Sequence, residues 1–161
     1  MRLITRSDFD GLACAALLEE IGVISDYLFA HPKDVQDGKV AVTKDDVLAN
    51  VPFVPGCGLW FDHHLSEVER LRTVKEHSFV GASRPAPSCA RVIYEYYGGA
   101  EKFRKFDDNG LMRAIDKSDS GNLTLAEITS PTGWILLSYV MDARTGLGRY
   151  KDYRISNHAL M

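Results

Sequence analysis

The sequence predicts an α/β protein of three layers, in which a mainly parallel sheet of about five strands lies between helices on both faces. Two observations support this prediction. Short apolar runs alternate along the chain with helical stretches, as in successive strand-helix units. Acidic and histidine residues follow several of the apolar runs, at the strand ends where parallel sheets carry their chemistry.

Composition is that of an ordinary globular chain forming one domain. The 161 residues are 45% hydrophobic and 25% charged, enough for a full core. A formal net charge of −3 gives no basic field for nucleic acid, so a polyanion would need a few placed cations or a metal. The three widely spaced cysteines include no Cys-x-x-Cys pair, which argues against a disulfide framework or a zinc knuckle.

The pattern of hydropathy predicts a cytoplasmic protein. The chain becomes acidic at Asp8, before a signal-like apolar stretch develops. No run approaches the roughly 20 apolar residues of a membrane span. We therefore expect no membrane partner.

The first half of the chain predicts strands joined by helices. Residues 3–5 form a minimal strand, an Asp- and Gly-rich turn follows at 7–11, and residues 12–21 form a helix that Gly22 ends. The later elements are a strand at 23–30, a short helix or loop with an edge segment at 31–44, strands at 45–51 and 58–62, and a helix at 65–71. The last two strands are expected to bring Asn50 close to His63.

The second half predicts mainly helices. A short strand near 78–80 precedes a helix that starts at 85–88 and that Gly98 and Gly99 end. A helix at 106–115 presents residues 115–121 at its far end. An apolar helix is predicted at 133–141, and a polar, basic tail follows.

Three clusters of acidic and histidine residues stand at predicted element ends. They are Asp8 with Asp10, Asp62 with His63 and His64, and Asp116 with Asp119. Burial of a polar group without a partner costs roughly 2–7 kcal/mol. A divalent cation and an anionic substrate would satisfy such groups, and carboxylates with imidazole suit Mn²⁺ or Mg²⁺.

Each cluster also has a structural interpretation. Asp and Gly are common turn formers, so Asp8 and Asp10 could serve the turn alone. Asp62 could cap a helix followed by two surface histidines, and Asp116 and Asp119 could be solvated. The alternative to a site is therefore a plain α/β domain. Three clusters at the same kind of position favour a site.

In their order and spacing, these motifs resemble the DHH phosphoesterase superfamily. The stretches that carry the resemblance are 7–11, 58–64 with the triplet Asp62-His63-His64, 86–90 and 115–119. The form of the triplet motif, together with 131–134 and 142–146, is most similar to the exopolyphosphatase-related branch. The resemblance covers nearly the whole chain.

The resemblance implies a catalytic lobe in which two Mn²⁺ or Mg²⁺ ions activate water for attack on phosphorus. Because this chain departs from the family pattern, we expect one or two ions. The resemblance implies that Asp8 binds one ion and Asp10 the other. It also implies His63 as a ligand, and Asp119 as the last acidic ligand with Asp116 as the fallback. His64 is implied beside the phosphate, and Asp62 orients the motif as its catalytic partner. Arg6 is a candidate phosphate contact.

The chain departs from the family pattern in three respects. Family members commonly carry a histidine shortly before the first motif aspartate, and residues 4–6 include none. The position of the aspartate that bridges both ions is taken by Asn50, whose amide offers one neutral oxygen. These enzymes usually continue into a smaller C-terminal lobe. We therefore assign 1–142 to the phosphoesterase domain and 143–161 to the start of a linker.

The predicted function is a metal-dependent phosphoesterase lobe that hydrolyses a phosphodiester or a phosphoanhydride. Candidate substrates are an oligonucleotide, a cyclic dinucleotide or polyphosphate, so the expected partner is a phosphate-containing small molecule or a short oligonucleotide. A C-terminal lobe or a second copy of the chain is the expected protein partner. The three departures support an alternative, a degenerate domain that binds a nucleotide or a partner protein without hydrolysis.

Overall fold

A five-stranded parallel sheet forms the centre of the fold. The computed structural model describes residues 1–73, 78–142 and 152–160. The strands are β1 Arg2–Thr5, β2 Asp26–Phe29, β3 Asp46–Ala49, β4 Leu59–Asp62 and β5 Gly81–Ser83. Their spatial order is β2-β1-β3-β4-β5, and every neighbouring pair is parallel. The predicted fold class is confirmed.

Helices connect the strands and continue after the last one. They are α1 Phe9–Glu20, α2 Pro32–Gln36, α3 Leu65–Thr73, α4 Cys89–Tyr96, α5 Ala100–Asp108, α6 Leu111–Asp119, α7 Leu125–Thr129, α8 Gly133–Asp142 and α9 Asn157–Leu160. Among the described residues, no helix is long and apolar enough to cross a membrane.

The two faces of the sheet bury separate hydrophobic clusters. Leu3 and Phe61 pack with α1, α4, α6 and α8 on one face. Ile4 and Trp60 pack with residues of α2 and α3 on the other. Successive side chains of a strand point to opposite faces, so the continuous apolar runs of β1 and β4 supply both clusters. This arrangement gives the three layers.

The strand order places a switch point between β1 and β3. The chain leaves β1 toward β2 on one side and then returns to β3 on the other side. Connections diverge at such a point, which opens a crevice at the carboxyl ends of the two strands. The residues after β1, β3 and β4 therefore surround one crevice.

Several predicted boundaries are wrong. The strand near 78–80 lies instead at Gly81–Ser83, because Phe79 packs edge-on against Trp60 at 4.8 Å rather than pairing in the sheet. The predicted helix at 106–115 is two helices, separated at Gly110, whose φ of 77° is left-handed. The segment 31–44 contains α2 without the expected edge strand. Helices α7 and α9 were not predicted.

The predicted domain boundary at residue 142 stays a prediction. Residues 143–151, and the cations Arg144, Arg149 and Lys151 among them, lie outside the described residues. The following segment carries α9, which packs beside β2. There the rings of Tyr27 and His158 stack with centroids 4.7 Å apart.

Candidate metal and phosphate site

Residues from each of the three predicted clusters converge at the carboxyl edge of the sheet. Asp8 and Asp10 follow β1, Asn50 follows β3, and the histidines follow β4. From the other side, α6 brings Asp119 to the same crevice. Parallel strand direction thus gathers residues that are far apart in the chain.

Asp10, His63 and Asp119 form a group that could hold a metal ion. One ligand atom from each lies within 4.8 Å of the others. Nε2 of His63 is 3.2 Å from Oδ2 of Asp119 and 3.8 Å from Oδ2 of Asp10. Two carboxylate oxygens and one imidazole nitrogen are suitable ligands for Mn²⁺ or Mg²⁺.

The surroundings of His63 leave its Nε2 atom available to bind a cation. Nδ1 lies 3.1 Å from the carbonyl oxygen of Ala86, which can only accept a hydrogen bond. This contact assigns a proton to Nδ1, so Nε2 is the ring nitrogen available to a metal ion. Nε2 itself is buried without a hydrogen-bond partner. An orphaned nitrogen between two carboxylates fits a divalent ion.

Asp10 is fixed by the first turn of α4. Its oxygens accept hydrogen bonds from the backbone N–H groups of Cys89 at 2.9 Å and Ala90 at 2.8 Å. Burial, and then the nearby charges of Asp119 and Asp8, raise the pKa of Asp10 well above its ordinary value. Crowded carboxylates of this kind favour a bound cation because it offsets their repulsion.

Asp8 has different partners from Asp10. It caps α1, and its Oδ1 accepts from the backbone N–H of Gly11 at 2.8 Å and from Nδ2 of Asn50 at 3.1 Å. Its Oδ2 pairs with Nε of Arg6 at 2.9 Å. Burial raises the pKa of Asp8, and the Arg6 charge opposes that rise. Asp8 therefore has its own set of donors, although it lines the same cavity as Asp10.

The turn at Asp8 requires a glycine three residues later. A Cβ atom at Gly11 would lie 1.9 Å from the carbonyl oxygen of Arg6 and 2.9 Å from Oγ1 of Thr5. Such contacts cannot be relieved without moving the backbone. Gly11 therefore holds the start of α1 close to the end of β1, which sets the positions of Asp8 and Asp10.

Asp62 holds His64. Oδ1 of Asp62 lies 2.9 Å from Nδ1 of His64, and Oδ2 accepts from the His64 backbone N–H at 3.1 Å. The hydrogen bond to Asp62 raises the pKa of His64 against the opposing effect of burial. Asp62 is fully buried, whereas the His64 side chain is 43% exposed. With Nδ1 engaged, Nε2 is the ring nitrogen left for a ligand.

Two cavities meet at Arg6. One, of about 230 Å³, is lined by Asp8, Asp10 and Asp119 together with residues of α6 and α8. The other, of about 140 Å³, is lined by Asn50, His64 and residues of α3. Arg6 lines both cavities, so it contributes to the surroundings of the acidic group and to those of His64.

Asn50 contacts both Asp8 and the end of β4. Its Nδ2 donates to Asp8, and its backbone N–H donates to the carbonyl oxygen of Phe61. Its expected closeness to His63 stays a prediction. Its backbone has a φ of 56°, a left-handed conformation that Asn tolerates better than most residues. Oδ1 of Asn50 is buried without a hydrogen-bond partner.

Asp116 has partners outside the candidate ligand group. Its oxygens accept from the Ser88 hydroxyl at 2.8 Å and from the Arg91 guanidinium at 2.6 Å. Its carboxylate is thus engaged by Ser88 and Arg91, and it lines a different cavity. The last acidic ligand stays a prediction, and these contacts favour Asp119 over the fallback Asp116.

Sequence reasoning missed three contributions to the site. They are the backbone amides of α4, the carbonyl of Ala86 and the carboxylate of Asp142, which accepts from the Phe9 backbone N–H and lines the larger cavity. In the sequence, the capping residue Ser88 predicts where α4 starts. It does not predict which carboxylate the amides of that helix bind.

Comparisons with known proteins identify a similar structure. No protein-family model matches the chain, and no curated protein matches it. A solved structure described as a pGpG-specific phosphodiesterase, PggH from Vibrio cholerae, is 46% identical with a TM-score of 0.78. The match covers 99% of this chain and 49% of the other, so the chain spans about half the length of that protein. The chain is therefore similar in sequence and fold to about half of a phosphodiesterase, and this similarity does not identify the exopolyphosphatase-related branch.

Proposed function

We propose that this chain is the metal-binding catalytic lobe of a phosphodiesterase that cleaves a short oligonucleotide. The observation that carries the proposal is the orphaned Nε2 of His63 between the carboxylates of Asp10 and Asp119, in a cavity that Arg6 also lines. These groups suit a divalent cation next to an anionic substrate. The ion is Mn²⁺ or Mg²⁺.

The three ligands fit such an ion by charge as well as by geometry. Asp10 and Asp119 contribute two negative charges, and His63 contributes a neutral nitrogen. A divalent ion bound there supplies positive charge for phosphate oxygens and acidifies a water molecule for attack on phosphorus. The Ala86 carbonyl and the α4 amides keep the ligands oriented.

His64 and Arg6 act on the substrate. Arg6 binds a phosphate oxygen from its position between the two cavities. His64, held by Asp62, offers Nε2 to the phosphate or to the leaving oxygen. Asp62 is a positioning residue, because its oxygens bind the His64 ring and backbone.

A phosphodiester is favoured over a phosphoanhydride. The similar protein is described as specific for pGpG, a phosphodiester. The match covers 49% of that protein, so we assign its activity to this chain only as a proposal. The exopolyphosphatase-related assignment predicts the opposite preference, for polyphosphate, and the two can be compared directly.

The proposal is tested by assaying the 161-residue chain with pGpG, bis(4-nitrophenyl) phosphate and a short polyphosphate. We expect Mn²⁺-dependent cleavage of the diesters, which EDTA abolishes. His63→Ala should lower the rate at least about 100-fold, because even residues that merely support a metal ligand cost 10–100-fold when changed. Asp45→Asn is the control, since Asp45 precedes the amino end of β3, at the opposite edge.

Two results would decide against the proposal. Cleavage of polyphosphate alone would favour the exopolyphosphatase-related branch. Mn²⁺-dependent binding of pGpG without turnover would favour the alternative of a non-hydrolytic lobe, for which the neutral Asn50 beside Asp8 is the supporting observation.

A further inference from the structure

We propose that this chain binds one divalent ion, at Asp10, His63 and Asp119, and that Arg6, paired with Asp8, supplies the second positive charge of the site. The inference rests on the proposed function, since it concerns the same phosphate site. It departs from the two-ion centre that the family resemblance implies. The argument depends on how Asp8, Asn50 and Arg6 are arranged.

Asp8 is already engaged by donors. Gly11 N–H and Asn50 Nδ2 donate to Oδ1, and Arg6 Nε pairs with Oδ2 at 2.9 Å. A carboxylate has about four lone-pair sites, and three of those of Asp8 are used. One site on Oδ2 remains, and an ion there would lie against the Arg6 guanidinium, whose positive charge repels it.

The two halves of the site differ in net charge. Asp10 and Asp119 carry two negative charges beside the neutral His63, which a single divalent ion balances. The pair of Asp8 and Arg6 is neutral by itself. Asp142 lines the same cavity, but its single charge would not balance a second divalent ion, which would leave excess positive charge near Arg6 in a region where Asp8 is only 5% exposed.

Asn50 does not provide what a second ion needs. Its Nδ2 donates to Asp8, so the amide adds a donor where an ion requires acceptors. Its Oδ1 is buried without a hydrogen-bond partner, and it contributes one uncharged oxygen. Hard divalent cations take about six oxygen ligands, several of them anionic in protein sites.

Arg6 is suited to replace the second ion. A guanidinium presents five N–H donors in a planar fork that matches phosphate oxygens. Asp8 holds it at the meeting point of the two cavities, beside Asp10 and Asp119 in one and His64 in the other. A phosphate there would have the ion on one side and the guanidinium on the other.

The number of bound ions tests the inference without relying on activity. Metal-free chain is titrated with Mn²⁺ by calorimetry, and bound Mn²⁺ is examined by electron paramagnetic resonance. We expect one ion per chain and an uncoupled spectrum. His63→Ala should remove that ion. In the double variant Arg6→Gln with Asn50→Asp, Asp8 is released and a carboxylate is added, so we expect two ions and a spin-coupled spectrum.

The controls separate failure of this inference from failure of the proposed function. Asn50→Asp with Arg6→Lys keeps the positive charge and should still bind one ion. Two ions in the unmodified chain, or one ion in the Arg6→Gln and Asn50→Asp variant with an intact circular dichroism spectrum, would overturn the inference and leave the metal site standing. No bound ion, or an ion that His63→Ala retains, would overturn both.

Discussion

His63 and His64 direct the same ring nitrogen, Nδ1, to different kinds of partner. Nδ1 of His63 faces a carbonyl oxygen, so its Nε2 is left between two carboxylates. Nδ1 of His64 faces the Asp62 carboxylate, and the side chain is partly exposed. These contacts support the proposed difference in roles, in which His63 binds the ion and His64 contacts the substrate.

This difference predicts that two substitutions have separable effects. His63→Ala should weaken Mn²⁺ affinity at least about 100-fold and remove the thermal stabilisation by Mn²⁺, because a ligand is lost. His64→Ala should leave Mn²⁺ affinity within about threefold and lower kcat. Calorimetry with Mn²⁺ and steady-state kinetics measure the two effects. Equal loss of Mn²⁺ affinity in both variants would contradict the assignment.

Helix α4 links the site to the rest of the helical layer. Its first two amides bind Asp10, and its cap, Ser88, donates to Asp116 of α6. Arg91 of α4 pairs with the same carboxylate. Since α6 also carries Asp119, this network fixes the two helices that bring Asp10 and Asp119 together. Asp116 is therefore a positioning residue.

We expect Asp116→Asn to weaken Mn²⁺ affinity about 10-fold, the lower end of the range for residues that orient metal ligands. The lost charged hydrogen bonds should also lower the free energy of unfolding by about 1–3 kcal/mol. Titration with Mn²⁺ and urea unfolding measure the two effects.

Asp107→Asn is the matched control. Asp107 of α5 accepts a hydrogen bond from the Tyr94 hydroxyl, so it anchors the same helix away from Asp10. Its substitution should lower stability without changing Mn²⁺ affinity. If Asp107→Asn weakens Mn²⁺ binding as strongly as Asp116→Asn does, a general loosening of α4 explains both effects. That result would contradict the positioning role of Asp116.

The two edges of the sheet carry different groups of charged residues. The carboxyl edge carries the candidate site, and the amino edge carries contacts that stabilise the fold. At the amino edge, Asp46 accepts from Arg2 Nε at 2.7 Å and from the Thr43 backbone N–H at 2.7 Å. Burial raises the pKa of Asp46, but these hydrogen bonds outweigh it and hold the pKa below its ordinary value. A carboxylate with a lowered pKa stabilises the fold above its unfolded pKa, and that contribution is lost as the pH falls through the folded value.

Asp46→Asn should therefore lower the free energy of unfolding at pH 7 by about 1–3 kcal/mol. The difference from the unmodified chain should shrink as the pH falls below about 3.9, the unfolded value for aspartate. Urea unfolding at a series of pH values measures it. Asp45→Asn, at an exposed neighbouring position, should change little. A difference that persists unchanged well below that pH would refute the ionic origin of the stabilisation.

Local patterns in the sequence predict much of this fold. Apolar runs placed β1, β3 and β4, and Gly22 and Ser88 marked helix ends, because these signals act over a few residues. The apolar Phe79 misled the assignment of β5, because its packing against Trp60 is a long-range contact. Gly110 was similarly missed as the break between α5 and α6.

The sequence by itself determined which residues stand at the strand ends, and therefore that Asp10, His63 and Asp119 are candidates for one site. Tertiary structure decided which of them meet. Ala90 donates to Asp10 from 80 positions away, Asn50 reaches Asp8 from 42 positions away, and Asp116 turns to Arg91 instead of the crevice. The physical reason is that carboxylates of the same kind are distinguished by their donors, and those donors come from elements that only the folded chain brings together.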